Sequence, residues 1–583
     1  MARQVFKASI LANAAILPLL AYSQQSPISS TPADQKCAVE GRVTNIQTGD
    51  PLKKVQVRLT KVSNSTYKVA VNMYSTTSNA DGSFRLPDVE PGSYELSGER
   101  TGYLLTQYGA QTPDGSGTVL TLTAGQRIAD LSLRLFPQGV ISGKVLDEDG
   151  DPAESATVSL MARTWVSGKA RYIMRGTATT NDLGEFRFSD LEPGTYYVDA
   201  KAEQVPKSSD EVSMPAAKPQ VEPVRTFYPE ATTLDSATPI KVRPGQEVPG
   251  INIRLHSGPT YHVRGRVTGM QPDDQDERLM LTITRHSDAF GPMTLFSDGR
   301  SALKADGTFD LDGITPGSYS LLVTKISGRM RVVGIQPVDV TAADLNDVVV
   351  NIVPPGSLQG HFRVESNSDT NTAVPNFSNI RVSLNPSESS WGGRTRATVA
   401  ADGSFFVDGI SAGKYIFRIA SLPAGMYVKS VLLGGQDVLG KEVDFSQGGS
   451  GRIEIVLRSG AAEVDGKLQA ASSPSDVSAH PLSGALVAII SDESYLDGSG
   501  VYSSSVDQNG NFSVRQLPPG HYHAYAFAQA DVSTLQVAEV EREIQTLGVD
   551  VEVKENDRKQ IQLPVISADD FRQMLARVGM DAQ

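Results

Sequence analysis

The chain has 583 residues, 39% hydrophobic and 20% charged, which is too long for one hydrophobic core and enough for roughly three to six domains. Its 52 glycines and 33 prolines against 12 methionines call for frequent turns, so many short strands rather than long helices. A net charge of −13 at neutral pH excludes nucleic acid or an anionic membrane as the main partner, and a single cysteine, Cys37, excludes an intramolecular disulfide.

Residues 1–23 read as a secretory signal peptide. Arg3 and Lys7 make the start basic, an apolar run follows from Ala8 to Leu20, and Ala21 and Ser23 are small where a signal peptidase reads. Asn13 and Pro18 interrupt that run and leave it short for a bilayer span. Cleavage before Gln24 removes two basic residues and takes the net charge to −15 by the same count. Residues 24–36 form a linker, and Ala33-Asp34-Gln35-Lys36 before Cys37 lacks the small, apolar character of a lipid-modification site. No later stretch has the length and purity of a transmembrane helix, so no membrane span is expected in the mature chain.

From there the sequence repeats itself five times: NADGSFRLPDVEPGSYEL, NDLGEFRFSDLEPGTYYV, KADGTFDLDGITPGSYSL, AADGSFFVDGISAGKYIF and DQNGNFSVRQLPPGHYHA. The turn glycines are Gly82, Gly184, Gly307, Gly403 and Gly510, and a Phe stands two residues after each: Phe84, Phe186, Phe309, Phe405 and Phe512. A second glycine follows ten residues after the first, and two residues beyond it stands Tyr94, Tyr196, Tyr319, Tyr415 or Tyr522. Asp-Gly and Asn-Gly accept positive φ and predict a two-residue hairpin turn; Leu183 before Gly184 predicts a different turn type in the second copy. The Phe starts a strand into the core, and Val89, Leu191, Ile314, Ile410 or Leu517 seals its far end. The Tyr buries its ring while its hydroxyl finds a backbone partner.

A front glycine, Gly41, Gly143, Gly265, Gly360 or Gly466, sits in a short alternating strand 41 to 44 residues before the turn glycine. Another alternating strand closes each copy: LSLRLF, INIRL, VVVNIV, IEIVL and QIQLPVI. Short junctions at Pro137-Gln138, Ser257-Gly258-Pro259, Pro354-Pro355-Gly356 and Ser459-Gly460 leave little freedom between neighbours. The expected domains are therefore 37–136, 138–257, 259–355, 356–459 and 460–566, followed by a tail at 567–583. Only that tail has helical spacing, with Phe571, Met574, Leu575 and Val578 on one face.

The succession G-[RK]-V, D-G-x-F and P-G-x-Y resembles the carboxypeptidase regulatory-like domain, and the resemblance covers about 37 to 565. That domain is transthyretin-like (prealbumin-like) and is similar in form to collagen-adhesin B-type and carbohydrate-binding-like repeats. Met426 to Gly440 also resembles multi-repeat exported proteins of environmental bacteria. The resemblance implies an all-β chain of five tandem Greek-key β-sandwich domains in an elongated array, with a short C-terminal helix.

The chemistry searched for is largely missing. A zinc peptidase needs a His pair at short helical spacing with a Glu; of His256, His262, His286, His361, His480, His521 and His523, none has Glu three residues later. His521 and His523 share a strand face without a third ligand. Gly498-Ser499-Gly500 has the wrong spacing for a nucleophile elbow. Asp147 to Pro152 and Gln271 to Glu277 cluster carboxylates without EF-hand spacing and read as solvated acidic turns. No catalytic residue, metal site or cofactor is expected.

An isopeptide cross-link is implied as a possibility of the fold family for Lys144 and Asn252 alone; alternation with Val145 instead turns Lys144 to solvent. Trp165 and Trp391, flanked by Arg163 and Arg171 and by Arg394 and Arg396, are the ligand-binding candidates. The competing account lays each Trp over a sheet edge with its arginines snorkelling across it.

These features describe a non-enzymatic, exported cell-envelope protein, at the periplasm, the surface or outside the cell. Its repeated β-sandwich domains are expected to bind polysaccharide or envelope proteins. The alternatives are a purely structural stalk or spacer, and a regulatory or accessory module without catalytic activity of its own.

Overall fold

A computed structural model describes residues 35–62, 73–110, 112–113, 115, 117–166, 169–202, 220–270, 278–285, 300–301, 303–304, 306–327, 329–365, 375–387, 394–469, 484–493 and 500–580. The signal-peptide segment, the acidic run 271–277, His286, His480, Gly498-Ser499 and Trp391 lie outside the described residues.

The first unit sets the plan. Its strands are β1 (Cys37–Asn45), β2 (Gln56–Lys61), β3 (Met73–Thr77), β4 (Ser83–Val89), β5 (Gly92–Glu99), β6 (Thr106–Gln107), β7 (Val119–Leu122) and β8 (Arg127–Leu135). One sheet runs β4-β1-β8; the other runs β3-β2-β5-β6, with β7 also on β5. β1 is antiparallel to β4 but parallel to β8, an orientation that alternation along a strand does not specify. Alternate residues of both sheets (Val39, Leu133 and Phe84 on one, Leu59, Leu96 and Tyr94 on the other) bury into a single cluster.

The later units repeat this plan. In each, the front-glycine strand lies between the Phe strand, antiparallel, and the closing strand, parallel. Five buried clusters result, running from Cys37 to Leu135, Ile141 to Leu255, Tyr261 to Val350, Leu358 to Leu457 and Ala462 to Leu563. In the fourth and fifth units the two sheets join into continuous sheets of nine and seven strands.

The repeated residues now acquire physical roles. Gly41, Gly143, Gly265, Gly360 and Gly466 stand directly opposite Phe84, Phe186, Phe309, Phe405 and Phe512. A Cβ on Gly360 would lie 2.1 Å from the Phe405 ring, and one on Gly265 would lie 1.9 Å from the Val348 carbonyl of the closing strand. The ring lies across the first strand, so only glycine fits beneath it.

The Tyr expectation holds as well. The hydroxyls of Tyr94, Tyr196, Tyr319 and Tyr522 donate to the carbonyls of Glu90, Glu192, Thr315 and Pro518 at 2.6 to 2.8 Å. Each therefore ties the Pro-Gly reversal to the core ring that follows it. Burial pushes the Tyr415 hydroxyl up to about 12.

The hairpin turn differs from the two-residue expectation. In the first unit Asn79 N–H donates to Ser83 O and Gly82 N–H to Asn79 O, enclosing three residues, and all five units share this pattern. It is a type I turn closed by a left-handed glycine, with φ between 70° and 87°. Only the glycine needs positive φ, so Leu183 is accommodated and the second unit's turn is the same as the others. Asp81, Asp306 and Asp402 accept from both the backbone N–H and the hydroxyl two residues on. These hydrogen bonds hold their carboxyls below the ordinary range.

A bulge recurs four residues after each Phe. Asp88, Asp190, Gly313, Gly409 and Gln516 all have φ between 59° and 72°. Without it, period-two alternation would turn Val89 and its counterparts away from the side that Phe84 faces; with it, the sealing residue is buried in every unit.

Contacts between the units go beyond their short junctions. The junction at 257–259 lies inside one continuous strand, His256–Thr268, whose beginning pairs with Gln220–Val224 of the second unit. The array is also closed rather than elongated: Gly484 N–H donates to Thr118 Oγ1 at 2.6 Å, and the Gln508 amide bonds both ways with the Thr121 backbone. These contacts set the fifth unit on the first.

The fifth unit also carries a second core. The tail helix forms as expected (α3, Ala568–Arg577, capped by Ser567), but two unforeseen helices precede it: α1 (Val532–Leu535) and α2 (Ala538–Ile544). Leu535, Val540, Ile544, Phe571 and Leu575 pack on the outer face of the sheet against Leu486, Ile490 and Phe527, making a second core. Among the described residues no helix is long and apolar enough to cross a membrane.

Candidate binding cleft between three units

Trp165 lies near the end of the strand Thr157–Val166, with the Arg163 guanidinium 5.2 Å from its ring centre. Half-buried, it packs against the second core of the fifth unit, so it works as an anchor between units rather than as a free platform. Arg171 donates to the Ser387 carbonyl at 3.1 Å and ties the second unit to the fourth. Trp391 is outside the described residues, so the two tryptophans form no described site together. Replacing Trp165 with Ala should remove about 1–3 kcal/mol of packing between the second and fifth units. Small-angle scattering should then give a larger radius of gyration than wild type; an unchanged curve would show that the closure does not depend on this side chain.

Beside this anchor the first, second and fifth units enclose a cleft of about 870 Å³. Phe136, Val242, Phe571 and Leu575, all buried, form its apolar base. Five cations line it, Arg163, Arg175, Lys241, Arg243 and Arg572, with two carboxylates, Glu192 and Asp531. Glu192 is paired with Arg175 at 3.5 Å, and Asp531 accepts from Ser533 N–H to cap α1. Of these residues the sequence marks Arg163, beside a candidate Trp, and Phe571 and Leu575, on the apolar face of the tail.

The remaining candidates have ordinary partners. Lys144 is half-exposed with its ammonium 3.1 Å from Glu185, and the Asn252 side-chain oxygen accepts from the Lys144 backbone N–H. That arrangement turns Lys144 to solvent and away from a cross-link. Asp147 accepts from the N–H groups of Asp149 and Asp151, so this acidic cluster is a hydrogen-bonded turn. His523 sits between Asp492 and Asp550, at 3.2 and 2.9 Å. Among the described residues no group of three or more His, Cys, Asp or Glu could hold a metal ion.

Fold and repeat together define a tandem β-sandwich protein. Residues 38–132 and 140–225 match the family model of the carboxypeptidase regulatory-like domain, a non-catalytic module, so the chain carries that domain in two of its repeats. Among solved structures, the chain is similar to GBS52, the minor pilin of Streptococcus agalactiae, at 11% identity over 38% of this chain and 96% of that one, with a TM-score of 0.22. The Bacillus anthracis TIE protein matches at 11% identity over 92% of this chain and 73% of that one, with a TM-score of 0.14. BcpA, the major pilin subunit of Bacillus cereus, matches at 12% identity over 55% and 99%, also with a TM-score of 0.14. No curated protein matches the chain.

Proposed function

We propose that this chain is an exported, non-catalytic protein of the cell envelope that binds carbohydrate or another envelope protein, its five units each folding as a domain within the bounds given above. One observation carries the reading: the residues common to all five units are spent on folding. The front glycine seats the Phe ring, the turn glycine takes the left-handed position, and the Tyr secures the reversal. Recognition is then left to surfaces where the units differ, and the three-unit cleft is such a surface. A plain spacer calls for units strung end to end; the contact of the first unit with the fifth weighs against it.

The test is a glycan array probed with the chain purified from its native host, its first residue read by amino-terminal sequencing. The expected outcome is a chain beginning at Gln24 that is retained by at least one class of extracellular polysaccharide. An abundant species starting at Met1 or Ala2 would end the export proposal, and no retention by any glycan would end the carbohydrate reading.

A further inference from the structure

We infer that the cleft between the first, second and fifth units is a binding site for an acidic oligosaccharide, one bearing carboxylates along a chain of sugars. The inference deepens the carbohydrate reading above and rests on it. Its first ground is charge. The chain as a whole carries −13, yet this cleft gathers five cations against two carboxylates. Arg175 pairs with Glu192 and Arg572 with Asp569, so with Asp569 counted the excess is five cations to three carboxylates, with Asp531 spent on the start of α1. A concave site of one sign concentrates the field and draws in ligands of the other, and guanidinium groups match carboxylates in both charge and shape.

The second ground is the neutral lining. Thr112, Thr164, Thr195, Thr534 and Gln529 stand among the cations. Hydroxyls and amides both donate and accept, which suits a ligand dense in hydroxyls. The volume falls within the roughly 300–1,000 Å³ usual for small-ligand clefts.

An acidic peptide would fit the charge but lacks its usual means of attachment here. The strand Gly194–Lys201, which passes along the cleft, is paired on one side with Thr157–Ala162 and on the other with Phe227, Thr226 and Ile240–Val242. Only Gly194 and Thr195 lack a ladder partner on the first side, too short an edge for an added strand.

The site draws on three units, so it exists only in the closed chain, and the test uses the whole mature protein. Calorimetric titration should show binding of oligogalacturonate or oligomannuronate that weakens as salt rises, and no binding of the methyl-esterified galacturonate chain. The double variant Lys241→Glu with Arg243→Glu, both exposed, should lose at least tenfold in affinity while keeping the wild-type circular dichroism and unfolding midpoint. Acidic glycans that bind wild type and variant equally would overturn the cleft assignment and leave the carbohydrate reading standing. Binding of neutral glycans alone would do the same. No binding of any glycan would remove both, and poly-glutamate bound as tightly as the uronates would make this a site for acidic protein instead.

Discussion

Gly265→Ala should cost the third unit about 3 kcal/mol or more, the upper end of what over-packing a core does. The added methyl would lie 1.9 Å from the Val348 carbonyl oxygen and 2.8 Å from the Phe309 ring. Neither neighbour can step aside cheaply. Val348 is the partner of Gly265 in the parallel ladder, so moving its carbonyl breaks backbone pairing. Phe309 is 3% exposed and enclosed by the core of the unit. A domain of this size holds roughly 5–15 kcal/mol in total, so the loss should be plain in denaturant unfolding and in hydrogen exchange over the third unit. Gly451→Ala is the matched control: that strand glycine has only the side chains of Leu358 and Leu433 nearby, both at 3.4 Å, and should change stability by less than about 1 kcal/mol. Equal losses in the two variants would mean that the space under the Phe ring is not what the repeated glycine provides.

That pair also shows what could be read beforehand and what could not. A position that tolerates one residue type announces itself by repetition, so the glycines, the Phe and the Tyr were visible from the string alone. The bulge four residues after the Phe has an equally strict backbone requirement. It is met by Asp88, Asp190, Gly313, Gly409 and Gln516, three residue types with one φ, and no shared letter marks it. The turn misleads for a related reason: Asp-Gly predicts two left-handed residues, whereas Leu183 shows that only the glycine has to be one.

The covered face of the fifth unit did leave a trace. Its strand Leu486–Ser491 reads LVAIIS, apolar at five consecutive positions, and all five are buried. Such a run means that both faces are covered, here by α1, α2 and α3 outside and the sandwich core inside. The short α1 and α2 lack the length for a helical period to stand out. The cleft left no trace, because Arg163, Arg243 and Arg572 come from places far apart in the chain and no sequence window holds them together.

Phe309→Ala, which empties the same space from the other side, should cost roughly 3–5 kcal/mol, and its consequences should stay largely within the third unit. Among the described residues the ring belongs to a cluster drawn wholly from that unit, Tyr261 to Val350, with no member from the other four cores. Two seams lead outward. Leu322 and Val332 meet Ala412 of the fourth unit, and Gln220–Val224 of the second unit is paired with the strand that begins at His256. Limited proteolysis followed by mass spectrometry should therefore show new cleavage in the third unit and secondarily along those seams. The first and fifth units, joined through Thr118 and Thr121, should keep their resistance. Tyr319→Ala should mark the same region, since that ring is 1% exposed and its hydroxyl holds the Thr315 carbonyl at 2.8 Å. If the closed arrangement instead made the chain one cooperative structure, protection would fall in all five units together. The two patterns separate cleanly, because among the described residues the first unit and the third share no buried cluster through which partial loss could pass.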